Sequence, residues 1–240
     1  MPWARSFCPF RACGAYLRNL SNFTNHKVPS SKFQVQSKMN YKIILASNSP
    51  RRKELLAGLD IPFEVKVIKG IDESYPESLD AYEVAEYISS KKAEAYRGLL
   101  GEEAIQTLIL TADTVVIAPT ADEQNDQEGK GVILGKPKDE EDAVRMLRML
   151  SGKTHHVVTG VCLTTRSQQR HFSVTTEVTF KQLSDAEIRY YISHYKPFDK
   201  AGAYGIQEWI GYIGCTGLKG SYFNVMGLPV QRIYEEIARM

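Results

Sequence analysis

The sequence is short of several things. Its 240 residues include only four cysteines, Cys8, Cys13, Cys162 and Cys215, and no two form a Cys-x-x-Cys pair. A disulfide-built scaffold and a thiolate zinc site are therefore not expected, and a reducing compartment is. No apolar run approaches the ~18–20 residues that a membrane-spanning helix needs. The spacing GxxxxGK[ST] is absent, which excludes a P-loop. There is no internal repeat, and no Ser/His/Asp triad can be assembled. His155 and His156 lie in a β-like run, where a histidine is more often structural. Acids are missing altogether from residues 1–40, which carry Arg5, Arg11, Arg18, Lys27, Lys32 and Lys38.

What remains is the composition of a globular domain, 43% hydrophobic and 24% charged. The net charge of +2 divides into +6 on residues 1–40 and −4 on the rest, from 24 basic and 28 acidic groups. The basic leader reads as an organelle transit peptide, for mitochondrion or plastid, or as a dispensable extension ahead of Met39, or as a disordered tail. Without import the expected location is cytoplasmic. The acidic body offers no nucleic-acid surface.

The body alternates strands and helices. Lys42 to Ala46 reads as a buried strand, and Ser49-Pro50 opens a helix as N-cap and first helical residue. Phe63, Val65 and Val67 alternate as a half-exposed strand. Residues 80–97 are helical, with Val84, Ile88 and Ala95 on one face. Leu108 to Ile117 is an apolar run interrupted by Asp113-Thr114, and 118–132 is a polar loop. Asp139 caps a helix that Ser151-Gly152 stops. His155–Thr165 and Phe172–Leu183 form a β-hairpin. Ser184 and Glu187 make a capping box for a helix ended by Pro197. The glycine-rich stretch 202–227 is read as irregular, before a terminal helix carrying Val230, Ile233, Tyr234 and Ile237. This is an α/β pattern with a mixed sheet.

Four segments carry chemistry. In Ser47-Asn48-Ser49-Pro50-Arg51-Arg52, two cations enter the first turn of a helix, where they oppose its dipole. An anion, phosphate above all, would relieve that. In Ala112-Asp113-Thr114 a carboxylate sits in an apolar run and needs a partner or a metal. Asp72, Glu73 and Lys92 could converge on the same place. Gly135-Lys136-Pro137 offers a point charge on a stiff turn. The segments Asp199 to Gln207 and Gly220 to Pro229 are glycine-punctuated, and Gln207 can pair with a base edge. Salt-bridged surface arginines, a strand Asp that caps a turn, and two ordinary loops with Met226 and Tyr222 in the core are the bland alternatives.

Taken together, these segments resemble the Maf family of nucleoside triphosphate pyrophosphatases over residues 41–240. The carriers are SxSPRRxELL at 47–56, Lys92-Ala93, ADT at 112–114, GKP at 135–137, a GxTHxVxTGV-like stretch at 152–161, GAYGIQ at 202–207 and NVMGLPV at 224–230. The resemblance implies a two-lobed, inosine-triphosphatase-like α/β fold with a mixed twisted sheet, flanking helices and a central cleft, commonly dimeric. It implies hydrolysis of a nucleoside triphosphate to monophosphate and pyrophosphate with a divalent cation, Mg²⁺ or Mn²⁺. Asp113 then corresponds to the proton acceptor and, with Glu73, to a metal ligand. Lys92 joins the catalytic group, and Ser47, Arg51, Arg52, Thr114, Lys136 and Gln207 contact the substrate. Arg51, Thr114 and Gln207 match the subfamily acting on dTTP and UTP, and the chain departs from the 7-methyl-GTP subfamily at all three positions. The longer 118–132 loop departs from typical members. A non-catalytic nucleotide-binding regulator of cell division, or a preference for modified purines, is the competing expectation. A fused methyltransferase is not expected, since 11 residues follow Pro229.

Overall fold

The computed structural model describes residues 41–101, 106–120 and 131–240. The basic leader and most of the 118–132 loop lie outside the described residues. A seven-stranded mixed sheet organises the rest. Strand β1 (Lys42–Leu45) runs parallel to β2 (Phe63–Val65) on one side and to β3 (Thr107–Ala118) on the other. β4 (Val132–Leu134) pairs antiparallel with the far end of β3. β5 (Thr154–Thr164) lies antiparallel along the opposite edge of β3 and turns back into β6 (Gln169–Phe180), which pairs with β7 (Cys215–Lys219).

Seven α-helices accompany the sheet among the described residues: α1 (Pro50–Ala57), α2 (Val84–Ala95), α3 (Glu140–Leu150), α4 (Asp185–Tyr195), α5 (Trp209–Gly214), α6 (Tyr222–Met226) and α7 (Val230–Ala238). Their ends follow local chemistry. The Ser49 and Asp139 side chains accept from the backbone of Arg52 and Asp142, and Ser184 with Glu187 closes both halves of a capping box. Lys196 takes a left-handed conformation (φ 46°) just before Pro197.

Strand alternation explains how the core is divided. On one face of the sheet, Leu108, Leu110 and Ala112 of β3 and Val161 and Leu163 of β5 pack with α1 and α7. Further along the same face, Val116 and Ala118 of β3 and Val157 of β5 pack with α3 and α4. Between the two cores the alternation reaches Thr114 and Thr159, which are paired across the strands. A polar rung thus separates two apolar blocks on two continuous strands. The opposite face carries Val115, Ile117 and Val158 under Val84, Ala85 and Ile88 of α2. Gly160 allows that approach, because a Cβ there would lie 2.2 Å from the Ala85 carbonyl carbon.

Four observations bear on the sequence expectations and their alternatives. Ala95 is exposed and Ala93 is buried, because the buried stripe of α2 is centred on Ala85, Ser89 and Tyr96 and leaves Ala95 at its margin. Strand β3 passes unbroken through Asp113-Thr114, so only the apolar pattern is interrupted. The 202–227 stretch contains α5, β7 and α6; β7 has little apolar pattern of its own and owes its form to pairing with β6. Tyr222 is exposed rather than core.

Candidate active site

β1 ends at Leu45, opposite Leu110, and β4 begins pairing only at Val116. Between those points one edge of β3 has no strand beside it among the described residues. The Arg52 side chain, from the first turn of α1, fills that gap. Its Nη1 donates to the Ala112 carbonyl at 2.7 Å, its Nε to the Gly227 carbonyl at 2.8 Å, and its Nη2 to Thr114 Oγ1 at 3.0 Å. A planar guanidinium can meet three acceptors, two on β3 and one in the turn after α6, while two further N–H groups stay available. Burial lowers the Arg52 pKa, and the nearby Asp113 carboxylate works against that loss while Arg51 adds to it.

On the other side of β3, Lys92 projects from the middle of the buried stripe of α2. An ammonium there requires a counter-charge. It has two, Asp113 Oδ1 at 2.7 Å and Glu73 Oε1 at 2.9 Å. Burial pushes Glu73 up, but its hydrogen bond from Lys92 and the charges of Lys92, Lys136 and Arg52 outweigh burial and hold it below the usual range. Glu73 stands on a segment without regular structure. Tyr96 pins that segment, accepting from the Ile68 amide at 2.8 Å and donating to the Lys66 carbonyl at 3.1 Å.

A third group closes the cleft. Arg51 donates to Asp199 Oδ2 at 2.7 Å. Lys200, almost buried, pairs with Asp199 at 2.7 Å and with Glu208 at 3.1 Å. Glu208 also accepts from Tyr191 OH, whose oxygen accepts from the Gly205 amide at 3.0 Å. Desolvation pushes Asp199 up, but the hydrogen bonds from Lys200 and Arg51 bring it down to about 2. The turn after Lys200 holds Gly202 and Ala203 at φ 68° and 59°, a conformation that costs an alanine ~1 kcal/mol or more. The Gly202 amide donates to the Gly135 carbonyl at 3.0 Å, which ties this turn to the one carrying Lys136.

These groups surround a cleft of about 500 Å³, and all nine residues singled out from the sequence line it: Ser47, Arg51, Arg52, Glu73, Lys92, Asp113, Thr114, Lys136 and Gln207. Asp72 turns away to Lys91 at 2.6 Å and is not among the lining residues. His155 is a core residue, as its place in the run suggested. Its Nε2 is 2.8 Å from Tyr204 OH, and burial followed by the proximity of His156 lowers it to about 3. The sequence reading missed Asp199, Lys200 and Tyr96 as lining residues. Asp199 opens one of the segments already noted, but its pairing with Arg51 shows only once the fold brings the two together.

No group of three or more His, Cys, Asp or Glu suited to a metal occurs among the described residues. The donor chemistry still fits a hard divalent cation. Two carboxylates converge on one cationic point, which Lys92 Nζ marks. Mg²⁺ is commonly held by one or two carboxylates together with substrate phosphates rather than by a protein cage.

Residues 42–240 match the family model described as Maf-like protein. The chain belongs to the Maf family. Curated relatives match the chain over a similar length. The chain is 59% identical over 200 residues to the dTTP/UTP pyrophosphatase of Phocaeicola vulgatus, covering 83% of this chain and 96% of that one. It is 55% identical over 197 residues to the dTTP/UTP pyrophosphatase of Porphyromonas gingivalis, covering 82% and 93%. Among solved structures, a HAM1 protein from Coxiella burnetii superposes with a TM-score of 0.40 at 12% identity, over 83% of this chain and all of that one. The Maf match begins at residue 42, so the basic leader lies outside it.

Proposed function

We propose that this chain hydrolyses dTTP, UTP and related pyrimidine nucleoside triphosphates to the monophosphate and pyrophosphate. The observation that carries the reading is the pairing of opposite charges in one cleft. A carboxylate pair on Lys92 faces Arg51, Arg52 and Lys136 across a space lined by Ser47, Thr114 and Gln207. A triphosphate matches the cations, and a water at its α-phosphorus needs a base. The relatives are named for the same two substrates, dTTP and UTP.

In this reading Arg51, Arg52 and Lys136 bind the phosphate oxygens, and Ser47 lines their path. Arg51 leaves Asp199 to do so. Asp113 accepts a proton from the attacking water as the new O–Pα bond forms and the Pα–O bond to pyrophosphate breaks. Lys92 holds the Asp113 and Glu73 carboxylates in place. Mg²⁺ or Mn²⁺ would be held by Asp113 and Glu73 with phosphate oxygens, and when bound it supplies charge neutralisation on the triphosphate. Gln207 reads the base. Its Oε1 is buried with no donor among the described residues, and such an orphan is costly unless a ligand supplies an N–H. The N3–H of uracil or thymine does so, whereas cytosine presents an acceptor there.

The test is pyrophosphate release from a panel of nucleoside triphosphates with Mg²⁺ or Mn²⁺. Preference for dTTP and UTP is expected, and preference for purines would overturn the substrate reading. Asp113→Asn should abolish turnover while leaving the melting curve close to that of the wild type. Near-normal release by that variant would remove Asp113 as the base.

A further inference from the structure

We propose that Thr159 is a positioning residue for the phosphate clamp: it fixes the Thr114 hydroxyl and, through it, the plane of the Arg52 guanidinium. The proposal rests on the pyrophosphatase reading of the cleft and goes beyond it, because Thr159 does not line the cleft. Thr159 is fully buried on β5, directly across from Thr114.

Three contacts form a chain. Arg52 Nη2 is 3.0 Å from Thr114 Oγ1, Thr114 Oγ1 is 3.0 Å from Thr159 Oγ1, and Thr159 Oγ1 is 3.2 Å from the Asn224 carbonyl. The ends set its direction. A guanidinium can only donate and a carbonyl can only accept. One arrangement satisfies every group: Arg52 donates to Thr114, Thr114 to Thr159, and Thr159 to Asn224. The far end is held as well, since Asn224 Nδ2 donates to the Val157 carbonyl at 3.1 Å and to Thr176 Oγ1 at 3.0 Å.

Packing does not require a hydroxyl at position 159. Its neighbours on the same face, Val157 and Val161, are valines with the same shape. The hydroxyl is there for its hydrogen bonds. It follows that Thr114 has spent its one proton on Thr159, so its second lone pair can only accept from a ligand. Its service to a triphosphate is to hold Arg52.

The experiment compares the full chain with Thr159→Val, Thr159→Ser, Thr114→Val and the Thr114→Val/Thr159→Val double variant. Steady-state kinetics on dTTP are combined with calorimetric binding of inorganic pyrophosphate. Thr159→Val should raise KM and weaken pyrophosphate binding by a common factor, roughly three- to tenfold, the fold-change of one net hydrogen bond. Its kcat should stay within about twofold. Thr159→Ser, which keeps the hydroxyl, should restore KM. Adding Thr159→Val to Thr114→Val should change KM no further, which a general structural role would not predict. An unchanged KM in Thr159→Val, equal impairment in Thr159→Ser, or additivity in the double variant would overturn the proposal. If Thr159→Val does not fold, the serine variant, with pyrophosphate binding held against wild type, decides. A wild-type chain that releases no pyrophosphate would refute the activity, while the binding comparison would still judge the role of Thr159.

Discussion

Replacing Gly160 by alanine should damage stability and turnover together. Gly160 lies on β5 opposite Asp113, on the face covered by α2. An added Cβ would come within 2.2 Å of the Ala85 carbonyl carbon and the Glu86 nitrogen, and 2.3 Å of the Ala85 oxygen. These are backbone atoms, so no change of rotamer relieves the clash. Ordinary carbon contacts begin near ~3.5 Å, so α2 must retreat by more than about 1 Å. Overpacking of this kind costs about 1–3 kcal/mol, and the same retreat loosens Val84, Ala85 and Ile88 from the sheet. At roughly 2–4 °C per kcal/mol for a domain of this size, the melting temperature should fall by about 2–12 °C. The retreat also carries Lys92 away from Asp113, stretching a 2.7 Å ion pair out of hydrogen-bond range. We expect kcat to drop about tenfold or more well below the melting point, the scale of ~1.4 kcal/mol in the barrier. Circular dichroism melts and pyrophosphate release would measure both. Gly217→Ala is the control, since its added Cβ meets only Thr179 at 3.4 Å. A Gly160→Ala variant that melts and turns over like wild type would refute the coupling of α2 to the reaction.

Gln207→Ala should relax the choice between uracil or thymine and cytosine more than it slows the reaction; unchanged ratios of kcat/KM for UTP and CTP would remove its role as base reader. Arg52→Lys should raise KM at least tenfold and lower the melting temperature, because one ammonium cannot serve the Ala112, Gly227 and Thr114 acceptors together; retained KM would show that charge alone suffices. Glu187 is held down to about 2, chiefly by its hydrogen bond from Lys181 and then by the Ser184 amide. A depressed carboxyl contributes stability that is present above its unfolded value near 4.5 and is lost as the pH falls toward 2. Glu187→Gln keeps an acceptor for the Ser184 amide but loses the charge paired with Lys181, so it should lower the melting temperature by no more than a few degrees at neutral pH, about 0.2–1 kcal/mol. It should also flatten its decline between pH 4.5 and 2, and an unchanged acid slope would count against the Glu187 carboxylate as its source.

Much of the fold was legible because its signals are local. The caps at Ser49, Asp139 and Ser184 mark helix starts by their own hydrogen bonds, and the long hairpin shows in two runs split by a polar turn. β4 and β7 were not legible. Three residues after an acidic loop and five with a central glycine carry too little pattern, and both strands exist because a neighbour supplies the ladder. At the site, Arg51 and Arg52 at a helix start and Asp113 in an apolar run could be singled out because their types sit badly in their local settings, and the resemblance to the Maf family supplied roles for the rest of the nine. Their grouping was not visible. That Lys92 joins Asp113 to Glu73, and that Arg52 spends three donors on the protein, depends on strands far apart in sequence. Asp199 and Thr159 escaped for the same reason: each is unremarkable until its partner is placed.

The uninterrupted course of β3 and β5 past the Thr114–Thr159 rung has a mechanical consequence. Enzymes that shut around a ligand usually bend at a few loop residues that absorb the change in backbone angles. Here nine consecutive rungs of the β3–β5 ladder, from Ile109–Thr164 to Ile117–His156, run beneath both cores without such a joint. Flexing the floor of the cleft would strain that ladder as a whole, so it behaves as a leaf spring and not as a hinge. Accommodation of a nucleotide then falls to parts free of the ladder: the strand-less segment that bears Glu73 and the side chain of Arg51.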